Sequence, residues 1–177
     1  MSARAVRFAR GHVPSAVARV FLAFGWLLIS RPALALLQGC TVSATSVTFA
    51  SAYDPSNING LDGTGTITVA CSVLALGLFE NWDILLNPGI NSSGSYTPRK
   101  LKDGSTHKMT YNLYTTLGHS TIWGDGATGG TAKVSDGRTL QIGNNSYPYT
   151  VYAHVDKLQD QPPGAYNDTI TVTLNYN

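Results

Sequence analysis

The chain is 177 residues long, 43% hydrophobic, 12% charged and 10% aromatic, with 18 glycines, 8 prolines and 2 cysteines. That length fits one domain, or one domain behind a targeting segment; the low charge and the aromatic content exclude a disordered chain, glycine and proline without a period exclude collagen-like repeats, and two cysteines exclude a four-cysteine zinc site. The formal charge of +2 is unevenly placed: residues 1–35 hold five arginines and no acid, which leaves seven basic and ten acidic residues, a formal −3, in the rest, so the body offers no basic surface for nucleic acid.

The first element is an address. Phe21 to Ser30 reads FLAFGWLLIS, a ten-residue apolar run behind Arg4, Arg7, Arg10 and Arg19. It is about half the roughly 20 residues that span a bilayer. Ala33-Leu34-Ala35 follows, a small-x-small pattern that a signal peptidase accepts. Together these predict a signal peptide over residues 1–35, cleaved after Ala35, and an exported mature domain over 36–177 without a transmembrane helix. A competing reading of the same place is a lipobox, Leu37-Gln38-Gly39-Cys40, in which Cys40 would be acylated and become the mature N-terminus. In an exported chain with an even cysteine count, Cys40 and Cys71 are expected to pair. No C-x-x-C is present, so a redox catalyst is not expected.

The mature body alternates apolar and polar residues with a period of two, the mark of strands with one buried face. In chain order the aligned sets are Ile67, Val69, Cys71 and Val73; Trp82, Ile84 and Leu86; Met109, Tyr111 and Leu113; Tyr149, Val151, Ala153 and Val155; and Ile170, Val172, Leu174 and Tyr176. Over residues 40–49, Val42 and Val47 fall on opposite parities, which predicts a bulge or bend. Turn clusters separate the runs: Asp54 to Asn57, Gly60 to Gly65, Asn91 to Ser95, Gly124 to Gly130 and Asp136-Gly137. Short strands with such punctuation and no sustained helical period predict a single all-β sandwich or barrel.

Signals for chemistry are weak. Gly124-x-Gly126-x-x-Gly129 matches a dinucleotide pattern, but no helix is expected after it to receive a pyrophosphate. His107, His119 and His154 stand in no known ligand spacing, and His154 is expected to face solvent, opposite Val151, Ala153 and Val155. Glu80 has no acidic neighbour except Asp83, so a carboxylate-pair hydrolase is not signalled. The expectation is a protein that is not an enzyme, with no catalytic residues, no cofactor and no metal site.

Several short pieces in a fixed order carry a resemblance. They are Cys40-Thr41-Val42, Val47-Thr48-Phe49, Tyr53-Asp54-Pro55, Gly65-Thr66-Ile67-Thr68-Val69-Ala70-Cys71-Ser72, Asn87-Pro88-Gly89, Arg99-Lys100-Leu101, Tyr111-Asn112-Leu113-Tyr114, Trp123-Gly124-Asp125-Gly126 and Gly164 through Leu174. In these the mature chain resembles the spore coat protein U domain family, which includes subunits of archaic chaperone–usher pili. The resemblance implies an immunoglobulin-like β-sandwich lacking one strand, and a structural or adhesive role in a surface assembly such as a pilus, a biofilm or a coat. The implied partners are a periplasmic chaperone, an outer-membrane usher and other subunits, joined by strand addition. It also implies transit through the periplasm to the cell surface, and it matches Cys40 and Cys71 to the family's disulfide. The last strand, with Ile170, Val172, Leu174 and Tyr176, is implied to line the acceptor groove. Cleavage after Ala35 would leave four residues before Cys40, fewer than the roughly 5 to 10 of a useful strand, so the chain is expected to accept a strand without donating one. The competing class is a stand-alone glycan-binding module, secreted or lipid-anchored, with Trp123 beside the Gly124–Gly130 loop as its platform.

Overall fold

A computed structural model describes residues 39–74 and 79–176. The expected leader, its cleavage site after Ala35 and the first two residues of the lipobox, Leu37 and Gln38, lie outside the described residues. Among those described there are nine strands, one 3-10 turn at Thr128–Gly130, and no helix long and apolar enough to cross a membrane.

The strands are β1 (Gly39–Ala44), β2 (Thr48–Phe49), β3 (Leu61–Val73), β4 (Phe79–Leu86), β5 (Arg99–Lys102), β6 (Lys108–Tyr114), β7 (Val134–Thr139), β8 (Gly143–Val155) and β9 (Val172–Tyr176). They form two antiparallel sheets. The larger has the order β1-β3-β8-β6-β5, with β2 also paired to β3; the smaller has the order β7-β4-β9. The spine is the β3–β8 ladder, thirteen residue pairs from Leu61↔Val155 to Val73↔Gly143. Pro148 can sit within it because β6 pairs only with Tyr152 to Val155, so at Pro148 the other edge of β8 needs no donor.

The period-two faces become the core. Ile67, Val69, Cys71 and Val73 of β3, Val151, Ala153 and Val155 of β8, and Met109, Tyr111 and Leu113 of β6 are buried against Trp82, Ile84 and Leu86 of β4. Trp82 donates its indole N–H to Tyr149 Oη at 2.8 Å. Tyr149 in turn donates to Asp136 Oδ2 at 2.8 Å, which ties the two sheets at one end. Burial and that carboxylate push the Tyr149 phenol up to about 12.

The mismatch in parity between Val42 and Val47 resolves as a bend. β1 leaves its ladder at Ala44, the Thr45 side chain accepts the Thr66 N–H at 2.9 Å, and β2 rejoins β3 opposite Gly63 and Thr64. Two expected turns are corrected. Asp136 and Gly137 lie inside β7, opposite Trp82 and Asn81: the aspartate finds partners in Tyr149 and Arg138, and a Cβ at Gly137 would meet Asn81 Oδ1 at 2.5 Å. Gly63 and Gly65 lie inside β3, not in the Gly60–Gly65 turn: bare backbone lets the Phe49 ring cross the strand at Gly63 and Val47 come close at Gly65.

Cys40 and Cys71 face each other across β1 and β3 and form a disulfide. A sulfur so engaged cannot carry a lipid thioether, which corrects the lipobox alternative. The bridge closes a loop with a sequence separation of 31, a size for which loop-closure entropy gives about 3 to 4 kcal/mol. The double variant Cys40→Ala/Cys71→Ala is therefore expected to lose about 3 kcal/mol in urea unfolding, and non-reducing peptide mapping of the native chain should recover the linked pair.

Candidate functional site

The two sheets are unequal, and among the described residues the face of the larger one is not fully covered. Between them lies an apolar cavity of about 80 Å³, partly open to solvent. Its floor is Ile67 of β3, Val151 and Ala153 of β8, Leu113 and Tyr111 of β6, and Leu101 of β5. One lip is the β1–β2 bend, with Ala44, Thr45, Ser46, Val47 and Phe49; the other is the approach to β9, with Asp168, Ile170 and Val172. Among the described residues, β9 pairs with β4 on one side only and ends the smaller sheet. The opening is thus flanked by the free edge of β9 and by the bend that interrupts β1.

Of the four residues expected to line a groove, Ile170 and Val172 face this cavity. Leu174, half-buried, and Tyr176, 44% exposed, continue their row beyond it. Val172 pairs with Leu86 and Leu174 with Ile84 across the β9–β4 ladder. The lips carry half-buried Val47 and Ile170, apolar groups that a covered sandwich would bury fully.

One end of the cavity is held by a buried polar network that sequence reading did not anticipate. Arg99 is 0% exposed. Its guanidinium donates to the carbonyl of Asn87 at 2.9 Å, to Asn112 Oδ1 at 2.8 Å and to the carbonyl of Trp123 at 2.7 Å, and its cation lies 5.2 Å from the centre of the Tyr96 ring. Burial pulls its proton affinity below the ordinary arginine value, and Tyr111, Tyr96 and Asp168 oppose that. Asp168 accepts the Tyr111 hydroxyl at 2.7 Å and the N–H groups of Ile90 at 3.0 Å and Thr169 at 2.9 Å. Burial raises its carboxyl above the ordinary value despite those donors. Gly89, at φ +87°, passes so close to Asp168 that a Cβ there would collide with the carboxylate, which explains the glycine in Asn87-Pro88-Gly89. Sequence offered one hint, an arginine at the head of Arg99-Lys100-Leu101, but nothing local says that it turns inward.

Trp123 is 1% exposed and donates its indole N–H to the Ile84 carbonyl at 2.9 Å. Its backbone N–H bonds Leu113 at 2.8 Å, and Gly124 accepts from Leu86 at 3.0 Å. Trp123 is therefore a clamp between the sheets and not an exposed glycan platform, a correction forced by its packing. The glycine-rich loop behind it closes on Asp125, which accepts from the N–H of Ala127 and from both the N–H and the hydroxyl of Thr128 at 2.6 to 2.9 Å. The loop leads to β7 through a parallel bridge of Trp123 with Ala132 and presents no helix N-terminus to a nucleotide.

The histidines separate into two settings. His107 pairs with Asp103, Nδ1 to Oδ2 at 2.7 Å. His154, expected in solvent, is 21% exposed, and the fold brings it together with His119 beside Asp62. Glu80, buried at 6% exposure, lies on β4 opposite Arg138 in β7, away from the cavity.

Comparison with known proteins agrees with this architecture. The family model described as Spore Coat Protein U domain matches residues 27–173. Protein U of Myxococcus xanthus is 31% identical over 130 residues, covering 70% of this chain and 68% of that protein. Among solved structures, the chaperone–tip adhesion subunit pre-assembly complex CsuC–CsuE, from the archaic chaperone–usher Csu pili of Acinetobacter baumannii, matches with a TM-score of 0.51 and 20% identity. That match covers 78% of this chain and 39% of the other, so this chain spans about two-fifths of its length; at that identity the likeness bears on the fold.

Two outcomes follow. Arg99→Met leaves the carbonyls of Asn87 and Trp123 without their donor, at a cost of about 1 to 3 kcal/mol each, and removes one of the two donors to Asn112 Oδ1, which keeps the Leu113 N–H. Urea unfolding should show a loss of roughly 3 to 5 kcal/mol, with Arg99→Lys recovering only part of it. Asp125 is held well below the ordinary carboxylate range by its Thr128 and Ala127 donors. Its contribution is therefore complete above the ordinary aspartate value of about 3.9 and is lost as pH falls below it. Asp125→Asn should flatten the acid limb of the stability curve below about pH 4, leaving its shape near neutrality unchanged.

Proposed function

The chain belongs to the Spore Coat Protein U domain family, and from that premise we propose that it is a non-enzymatic structural subunit of a bacterial surface assembly, completed by a strand that a partner lays into the cavity between the β1–β2 bend and β9. The observation that carries this reading is the cavity itself, apolar and flanked by an edge of β9 that has no partner strand among the described residues. An extended segment added there gains main-chain hydrogen bonds along β9 and places alternate side chains over Ile67, Leu113 and Val151. The cavity is too apolar to be a good home for water, so an aliphatic side chain is the better occupant.

The partners follow from the same chemistry: a periplasmic chaperone during export, an outer-membrane usher, and other subunits of the fibre or coat. The complex in which the matching structure was solved, a chaperone with a tip adhesion subunit, supports a chaperone as the first of these. The destination proposed is the cell surface, reached through a leader over residues 1–35. With Trp123 buried, the glycan-module alternative loses the side chain it rested on.

The test is a synthetic peptide of alternating apolar and polar residues. At a hundredfold excess over its Kd, a ligand of the folded state adds about 2.7 kcal/mol, which in a domain of this size raises Tm by roughly 8 to 10 °C. Ile170→Asp and Val47→Asp, on opposite lips, should each remove that shift. A chain that melts at the same temperature with and without any such peptide, or with its chaperone, contradicts the reading.

A further inference from the structure

We propose that Asp62, His119 and His154 form a binding site for a borderline transition-metal dication, typified by Zn2+, on the outer face of the larger sheet. The site is separate from the apolar cavity, and no single stretch of sequence contains it. Asp62 sits second in β3 and pairs directly with His154 of β8. His119 comes from the Thr115–Thr121 turn after β6 and is carried over both.

The geometry is that of a three-donor set. His154 Nδ1 lies 2.6 Å from Asp62 Oδ1, and His119 Nε2 lies 3.6 Å from the same oxygen. The imidazole centres are 4.8 Å apart, and one ligand atom from each residue falls within 4.8 Å of the others. Around zinc, with bonds of about 2.0 to 2.1 Å, tetrahedral donors stand about 3.3 Å apart. The His119 to Asp62 distance is already near that value. The His154 to Asp62 contact must open by about 0.7 Å to meet the same spacing, a small rotation for an aspartate whose side chain is 64% exposed.

His119 is also prearranged. Its backbone is left-handed, φ 51°, a conformation uncommon outside glycine that histidine tolerates better than most residues, and here its surroundings hold it. The turn does so: the His119 N–H donates to the Thr116 carbonyl at 3.2 Å and the Thr115 N–H to the Thr121 carbonyl at 3.1 Å. Its ring stands 4.9 Å from that of Tyr114. Gly60, at φ +73°, clears the other side, since a Cβ there would lie 2.9 Å from the His154 ring. Two imidazoles and one carboxylate suit zinc, copper or nickel, whereas calcium and magnesium require oxygen donors. Three protein ligands leave a fourth position for water or for a donor from a neighbouring molecule.

The experiment is calorimetric titration of ZnCl2 into the exported, untagged protein, with CaCl2 as comparison. One equivalent of zinc should bind and raise the melting temperature, and calcium should not compete. Asp62→Asn, His119→Ala and His154→Ala should each weaken zinc binding at least about tenfold, while His107→Ala, at the other histidine–aspartate pair, should leave it unchanged. Circular dichroism checks that each variant folds; exposed Asp62→Asn keeps the test decisive if a histidine variant does not. The proposal is overturned if zinc does not bind below millimolar concentration, if Asp62→Asn binds it as tightly as the native chain, if His107→Ala abolishes binding, or if calcium displaces zinc at comparable concentration.

Discussion

The architecture turns on an inequality of area. The thirteen-pair ladder of β3 and β8, widened by β6 and β5, presents a long apolar face. Opposite it, among the described residues, stand three strands, β7, β4 and β9. Apolar surface left in contact with water forgoes about 25 cal/mol per Å², so the sandwich either closes over the excess or takes a cover from elsewhere. The β1–β2 bend turns Val47 and Phe49 inward along one side, and Ile170 and Val172 approach from the other, yet a cavity persists between them. On the proposed reading that gap is where an added strand completes the fold.

Rigidity at the cavity's end comes from charge and hydrogen bonds more than from packing. Arg99 gathers the carbonyls of Asn87 and Trp123 with the side chain of Asn112, and so adds a side-chain tie to segments already joined by single backbone bonds, Trp123 to Leu113 and Leu86 to Gly124. Tyr111 and Asp168 continue the network into the cavity wall. All the buried side-chain polar atoms among the described residues find a partner. A satisfied network of this kind fixes one geometry, since each shift would strand a desolvated group. On the proposed reading, an open site can thus keep its shape until a partner covers its apolar lips.

Much of this was legible in sequence because strand periodicity is local. Ile67 to Val73, Trp82 to Leu86 and Val151 to Val155 show their buried face by alternation alone, and the parity break between Val42 and Val47 announced the bend. The cysteine pair needed only an even count and an exported context. What alternation could not show was anything set by distant segments. Asp136-Gly137 has the composition of a turn, but the Tyr149 hydroxyl and the Asn81 side chain draw it into β7. Trp123 in a glycine-rich stretch reads as exposed until the Ile84 carbonyl is seen to accept its indole N–H. Arg99 looks like a surface residue, and His119 and His154 stand 35 positions apart with no ligand spacing between them; the meeting of each with its partners is a product of the fold.

The most direct measurement of the central claim, that the cavity receives a strand, is hydrogen–deuterium exchange of the exported protein with and without a bound alternating apolar peptide. The account predicts new protection confined to Val172–Tyr176 and the β1–β2 bend, with the β3–β8 ladder unchanged. Protection that appears elsewhere while β9 continues to exchange freely, or none at saturating peptide, would contradict it.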